Sequence, residues 1–248
     1  MGAKASTIWY VDAPDPANVL RENPEPDAEA ARALVGELFP EMNVFPLGSG
    51  TLADSTGVAP GEVYVGSYPG LTVVCGTNLN LRKPSTIDES WTRPLASEQT
   101  YLVCTDPGAA WGSFAYWERG ELRRSFSATP VEIHENLGLP LLWERPFWAG
   151  EHPLPFPPGV FPDPQSLPFH PSEFAEAANA EWLGYRYTPP VRDGELDPAT
   201  VGLCGFAVYR DGEEPPVVLA STRAAGPGPL SRGLRRWFGR RDSAGAER

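Results

Sequence analysis

The residues best suited to chemistry at neutral pH are three histidines, His134, His152 and His170, which follow one another at intervals of 18 residues. Imidazole is the side chain that most readily transfers protons or binds metals at this pH. His152 directly follows Glu151. Because neighbouring side chains of an extended segment point to opposite sides, adjacency alone does not make these two an acid–base pair.

Sequence motifs of known catalytic sites are absent. The chain has no His-Glu-x-x-His, no Cys-x-x-Cys, no Gly-x-Ser-x-Gly and no Walker-type phosphate loop. Gly48 and Gly50 follow a predicted strand, as in dinucleotide-binding folds, but turn residues come next instead of the helix that would bind a pyrophosphate. We therefore assign no metal site from the sequence and leave the cofactor unknown.

The three cysteines, Cys75, Cys104 and Cys204, are far apart and each lies in an apolar run. An odd number of widely spaced cysteines in such runs is typical of buried, reduced thiols.

The elements that must position these residues follow from hydrophobic patterning and turn residues. Asp27 is predicted to cap a helix that Pro40 ends, and a second clear helix is expected from Ser172 to Leu183 with Gly184 as its stop. Shorter helices are expected after Asp15 and over 84–93. Strands are predicted over 6–11, 43–47, 62–68, 71–75, 100–104, 112–117, 121–126, 203–209 and 217–220.

This order of elements predicts an α+β fold, a mixed, largely antiparallel sheet with a few packed helices. Residues 1–222 are expected to form a single domain, since 41% hydrophobic residues suffice for a core. From about residue 132 to 171 we expect a long aromatic, Pro-rich loop region on the surface, and long loops of this kind are often functional.

The segment 223–248 differs in charge from the rest. It has a net charge of +5, so residues 1–222 carry −17 of the total of −12. This acidic body argues against nucleic-acid binding by the core. A helix over the segment would have an apolar face and an arginine-rich face, suited to weak contact with an anionic membrane or a partner's groove. The alternatives are a flexible end or a segment attracted back to the acidic body. The contact residues would be Arg235, Arg236, Trp237, Phe238, Arg240 and Arg241.

Location can also be predicted from apolar runs. No run approaches the roughly 20 residues of a membrane span, and the first residues lack the apolar core of a signal peptide. We therefore expect a soluble, cytoplasmic protein.

Several strings of residues resemble a known family. They are Gly2-Ala3-Lys4, Ser113-Phe114-Ala115, Leu122 to Ser125, Glu135-Asn136-Leu137-Gly138, Pro146 to Pro153 and Leu167 to Pro171. Together they resemble an uncharacterised actinobacterial family, known as a domain of unknown function, over most of residues 2–206. The Trp-Ala-Gly-Glu-His-Pro string at 148–153 is the most specific part. The resemblance implies a cytoplasmic bacterial protein and no particular activity.

Two functional hypotheses follow. The first is a non-catalytic binding or interaction module whose aromatic groove, lined by Trp148, Glu151, His152 and His170, holds a protein or small-molecule ligand. The alternative is a hydrolase in which Glu151 or His152 acts as general base, with His170 as its partner or as a metal ligand. Convergence of the Glu and His side chains in one pocket would favour the enzyme, and dispersed histidines bonded to backbone would favour the binding module.

Overall fold

The computed structural model describes residues 4–22, 25–154, 159 and 163–213. The basic segment 223–248, its six predicted contact residues and the predicted strand over 217–220 lie outside the described residues. The extent of the predicted domain beyond residue 213 therefore stays a prediction.

Nine strands in the described part of the chain form a single sheet, in the order β2-β9-β3-β4-β1-β5-β6-β7-β8. The strands are β1 (Ala5–Val11), β2 (Asn43–Thr51), β3 (Glu62–Tyr68), β4 (Leu71–Gly76), β5 (Gln99–Asp106), β6 (Trp111–Glu118), β7 (Glu121–Thr129), β8 (Glu132–Leu137) and β9 (Gly202–Tyr209). The helices are α1 (Pro16–Glu22), α2 (Ala28–Leu38), α3 (Glu89–Thr92), α4 (Arg145–Trp148) and α5 (Pro171–Leu183). The fold is α+β and dominated by its sheet.

Every pairing between these strands is antiparallel. The expectation of a mixed sheet is therefore wrong for the described strands. β1 and β2 do run in the same direction, but β4, β3 and β9 lie between them. The strand–helix–strand start of the chain thus places β2 at the far edge of the sheet, where β9 is its partner, and no parallel pair forms.

Strand β1 lies at the centre of the sheet, and all seven of its residues are buried. Ile8 and Tyr10 pack into a core that includes α2, whereas Trp9 and Val11 pack on the opposite face, in a core that reaches the end of α5. Because helices cover both faces, the strand needs apolar side chains on both sides. This explains why its sequence does not alternate.

The two main helices begin and end where their residues predict. The Asp27 carboxylate accepts hydrogen bonds from the backbone N–H of Glu29 and Ala30, so it caps α2. Gly184 ends α5 in the left-handed conformation, with φ of 73°. The β6–β7 hairpin, with Gly120 at a positive φ of 80°, also confirms its prediction.

Two regions differ from the expectation. Residues 84–93 do not form one helix but a 3₁₀ turn, Pro84–Thr86, followed by the single turn of α3. The segment from residue 132 onwards is more regular than expected, because it opens with β8, which pairs with β7. The alternation in β8 is weak because only Glu135 of its six residues is buried.

The cysteines are free thiols, as predicted, with Cys75 and Cys104 buried and Cys204 partly buried. Burial raises the pKa of the Cys75 thiol and of the Cys104 thiol to about 12. Within the described residues, no helix is long and apolar enough to cross a membrane.

Candidate functional site

His170 lies at the N-terminus of α5, where it is the N-cap residue. Its Nδ1 is 3.3 Å from the backbone N of Ser172 and 2.7 Å from the Ser172 Oγ. A ring nitrogen that accepts from the N–H of the second helical residue satisfies a donor that the helix itself leaves free. The imidazole is thus bound to its own helix.

His152 lies against an aromatic ring. Its imidazole stacks on Phe147, with 3.9 Å between the ring centroids and 9° between the planes. His152 and Glu151 are both exposed, and the backbone N–H of Glu151 donates to the Pro146 carbonyl at 2.9 Å. The turn that follows α4 thereby fixes the backbone of this pair, while the Glu151 side chain extends to the surface.

Trp148 is tied to the interior by its indole. The Nε1–H donates to Glu144 Oε2 at 3.1 Å, and the ring packs edge-on against Phe126 and Phe169. Glu144 in turn is paired with Arg124. Trp148 therefore serves mainly to attach α4 to the sheet.

The four predicted groove residues are not joined in one polar cluster. No hydrogen bond among the described residues links Glu151, His152 and His170, because His170 bonds to Ser172 and His152 stacks on Phe147. His134 lies apart on β8, 3.5 Å from the Glu132 carboxylate, with its Nε2 buried and without a partner. No group of three His, Cys, Asp or Glu side chains that could hold a metal was found in the described ranges.

Several aromatic side chains between residues 132 and 171 form core instead of surface. Phe147 and Phe169 are buried in one cluster, where both contact Phe174 and Phe169 also contacts Phe126. For these two side chains the expectation of a surface position is wrong, since β6, β7 and α5 each contribute rings to which they add a layer. Phe156 and Phe161 lie outside the described residues, and Trp143 and Trp148 are partly buried. Two clefts are lined by Trp143.

The first of these, here termed the charged cleft, has a volume of about 480 Å³. It contains acidic and basic side chains on opposing elements. Its lining is Trp143, Phe147, His152, Glu173, Glu176, Ala177, Ala180, Glu181, Arg186, Thr188, Pro189, Pro190 and Arg192. Of the four predicted residues, His152 is the one in this lining.

Glu176 is the buried carboxylate of the charged cleft. It accepts a hydrogen bond from the backbone N–H of Tyr187 at 2.8 Å, and so joins α5 to the chain that follows it. Burial raises the pKa of the Glu176 carboxyl group, although the N–H donors of Tyr187 and Thr188 and the charge of Arg186 oppose this. Arg186 itself is paired with Glu195 at 2.9 Å.

The second, here termed the aromatic cleft, has a volume of about 510 Å³ and shares Trp143 and Glu181 with the charged cleft. Its lining is almost entirely aromatic, aliphatic or proline. The residues are Ala13, Pro14, Pro16, Gln99, Tyr101, Tyr116, Leu141, Leu142, Trp143, Glu181 and Trp182. The size is that of a site for a small ligand or a short piece of peptide.

One wall of the aromatic cleft is a cluster of three rings from β5, β6 and α5. Tyr101 stacks on Trp182 with 4.6 Å between centroids and 15° between planes, and on Tyr116 at 5.3 Å and 28°. Trp143 meets Trp182 edge-on at 5.8 Å. Tyr101 is buried and packs against Tyr116 and Trp182, and Trp143 packs against Trp182. The partly exposed rings of Tyr116, Trp143 and Trp182 therefore form one packed surface.

One lining residue of this cleft, and another residue close to it in sequence, have unusually exposed apolar side chains. Leu142, in the lining, is 74% exposed, and Leu139, three residues before it, is 85% exposed. Exposed apolar residues grouped next to a cleft mark interaction surfaces more often than scattered ones do.

Sequence reasoning missed Tyr101, Tyr116, Trp182 and Glu181 as cleft residues. Tyr116 and Trp182 were recognised as parts of a strand and of a helix face, but a pattern within one element does not reveal a contact across 66 residues of chain. The one available signal was the cluster of aromatics in β6, which fits either a strand covered on both faces or one that lines a groove. Both are present, since Phe114 and Trp117 are buried in different clusters on opposite faces of β6 and Tyr116 lines the cleft.

Comparison with known proteins places the chain in a family. No curated protein and no solved structure matches it. A family model that covers residues 5–206 does match, and this range includes all nine strands and α1 to α5, except for the last residues of β9. The chain therefore belongs to the family of unknown function DUF6928.

Proposed function

We propose that this protein is a non-catalytic interaction module of the bacterial cytoplasm, and that its aromatic cleft binds an extended segment of a partner protein. The observation that carries the proposal is the rigid three-ring cluster of Tyr101, Tyr116 and Trp182 in an open cleft. Preformed aromatic surfaces give a ligand contact area at low entropic cost.

The exposed leucine in the lining favours a protein ligand over a small metabolite. Leu142 extends the apolar surface beyond the cleft, and a side chain that is 74% exposed gains from burial only when a larger partner covers it. Protein interfaces are enriched in aromatic residues at their centre, which matches a cluster of tyrosine and tryptophan bordered by leucine.

Selection from a random peptide library tests this proposal. Peptides are selected on the wild-type protein and counter-selected on Leu142→Asn, which removes an apolar contact without adding charge and whose exposed position should leave folding intact. Val131→Asn is the matched control, because Val131 is also apolar and 56% exposed but does not line the cleft. Enriched peptides are expected to bind wild type and Val131→Asn equally and Leu142→Asn at least about tenfold more weakly. No enrichment, or equal binding to all three proteins, would refute the proposal.

A Glu/His hydrolase remains the second candidate. The observation that favours it is His152 in the same cleft as the buried Glu176, whose raised pKa would suit a general acid. Elemental analysis by mass spectrometry and a panel of ester and phosphate substrates test it, with His152→Ala and His170→Ala as variants. A turnover that His152→Ala abolishes would support the enzyme, and a metal lost in both variants would assign the metal-assisted form.

A further inference from the structure

Glu181 is the one charged side chain in the lining of the aromatic cleft. It is exposed on α5, next in sequence to Trp182, and its carboxylate makes no hydrogen bond or ion pair within the described residues. The cleft therefore combines electron-rich ring faces with a free negative charge, and none of its lining residues is Lys, Arg or His.

Glu181 also lines the charged cleft, where Arg186 and Arg192 are the arginines, but neither forms an ion pair with it among the described residues, and Arg186 is paired with Glu195 at 2.9 Å. Arg123 affects the ionisation of Tyr116 through space, yet its guanidinium is bound to Glu118 at 3.1 Å and to Glu121 at 2.9 Å. Burial and the charge of Glu118 raise the pKa of the Tyr116 hydroxyl, and burial raises the pKa of Tyr101, so both rings stay neutral at physiological pH. A cation that enters the cleft thus meets no positively charged side chain in its lining.

From this complementarity we infer that the aromatic cleft recognises an arginine side chain of the partner segment, an inference that rests on the proposed function. A guanidinium group is flat, weakly hydrated and able to stack on an aromatic face while it donates two hydrogen bonds to a carboxylate. Both groups are present in the cleft lining, Trp182 with a partly exposed ring and Glu181 with an exposed carboxylate. The negative charge of residues 1–222 favours a basic partner as well.

Two peptides that differ only in charge test the inference. One is an acetylated, amidated alanine pentapeptide with a central arginine, and the other has citrulline at that position, which keeps the shape and removes the charge. The readout is the chemical shift of the indole N–H of Trp182, assigned with Trp182→Phe. The arginine peptide is expected to bind about tenfold more tightly than the citrulline peptide. A lysine peptide is expected to bind more weakly than the arginine peptide, because ammonium lacks the planar fork.

Glu181→Gln should remove most of the preference for arginine over citrulline. Glu173→Gln is the matched control: it removes one carboxylate from the same helix, but Glu173 lines only the charged cleft. Equal affinities of the arginine and citrulline peptides for wild type would overturn the inference, as would an undiminished preference in Glu181→Gln or equal binding of lysine and arginine.

The library selection separates this failure from failure of the proposed function. Peptides that bind the cleft but are not enriched in arginine would leave the interaction module intact and overturn the arginine assignment. A selection that yields no cleft-dependent peptide would refute the module itself.

Discussion

Arg124 and Glu144 form a bidentate ion pair in the interior of the protein. Arg124 Nε lies 2.8 Å from Oε1 and Nη2 lies 2.8 Å from Oε2, and neither side chain is exposed. Nη1 also donates to Asn136 Oδ1 at 2.6 Å and to the Leu137 carbonyl at 2.9 Å, while Glu144 accepts from the Trp148 indole. One guanidinium on β7 thus anchors both the end of β8 and the start of α4.

Removing one partner of this pair should be costly. Glu144→Ala is expected to lower the free energy of unfolding by about 3–5 kcal/mol, because it leaves the Arg124 charge buried without its counter-ion. The double variant Arg124→Met/Glu144→Leu should recover most of the loss, since no charge is then buried. Urea unfolding followed by circular dichroism measures both. Glu121→Ala, which breaks the exposed pair with Arg123, is the control and should change stability by no more than about 1 kcal/mol. If Glu144→Ala also cost no more than about 1 kcal/mol, the interpretation of Arg124 and Glu144 as a buried, stabilising ion pair would be contradicted.

Two glycines should respond in opposite directions to alanine. A Cβ on Gly112 of β6 would lie 2.1 Å from the Pro171 carbonyl oxygen, so this glycine permits the close contact between β6 and the start of α5. Gly112→Ala is expected to destabilise the protein by about 3 kcal/mol or more. Gly36, inside α2, has no atom within 4 Å of such a Cβ, and Gly36→Ala should stabilise by up to about 1 kcal/mol. The two variants are compared by thermal unfolding. If Gly36→Ala lost as much stability as Gly112→Ala, the close contact between Gly112 and Pro171 could not be the cause of the loss.

Sequence reasoning succeeded where one element carries its own signal. Asp27 before an amphipathic run identifies the start of α2, and Gly184 after another identifies the end of α5, because caps act within a few residues. β8 was not predicted because its own sequence shows little alternation of buried and exposed residues, with one buried residue of six. The strand forms by pairing with β7.

The sites were harder to predict because they depend on contacts distant in sequence. Arg124 lies on β7, and only the chain 20 residues later supplies Glu144 to pair with it. The aromatic cleft likewise requires Tyr101 and Trp182 to stack across 81 residues. No periodicity within one segment encodes such a pair, whereas the fold creates it by placing α5 across β5 and β6.

His170 should act on stability through its cap. His170→Ala is expected to cost about 0.5–2 kcal/mol, because the Ser172 N–H loses its acceptor, and His170→Asn should retain most of the stability, since Asn is a good N-cap residue. Chemical unfolding of the two variants at pH 8 measures this. Equal losses in both would show that His170 stabilises the protein by contacts other than its cap.

Glu176 should make stability depend on pH in the acidic range. Burial raises the pKa of its carboxyl group in the folded protein above the value of 4.5 of the unfolded chain, so the folded state binds the proton more tightly. The resulting contribution to stability is fully present below pH 4.5 and is lost as the pH rises through the folded pKa. The free energy of unfolding of wild type minus that of Glu176→Gln should therefore fall as the pH rises above 4.5. Gly36→Ala, which changes no titratable group, should follow wild type in parallel over the same range. A difference between wild type and Glu176→Gln that stays level or grows with pH would show that the hydrogen bonds from Tyr187 and Thr188 outweigh burial at this carboxyl group.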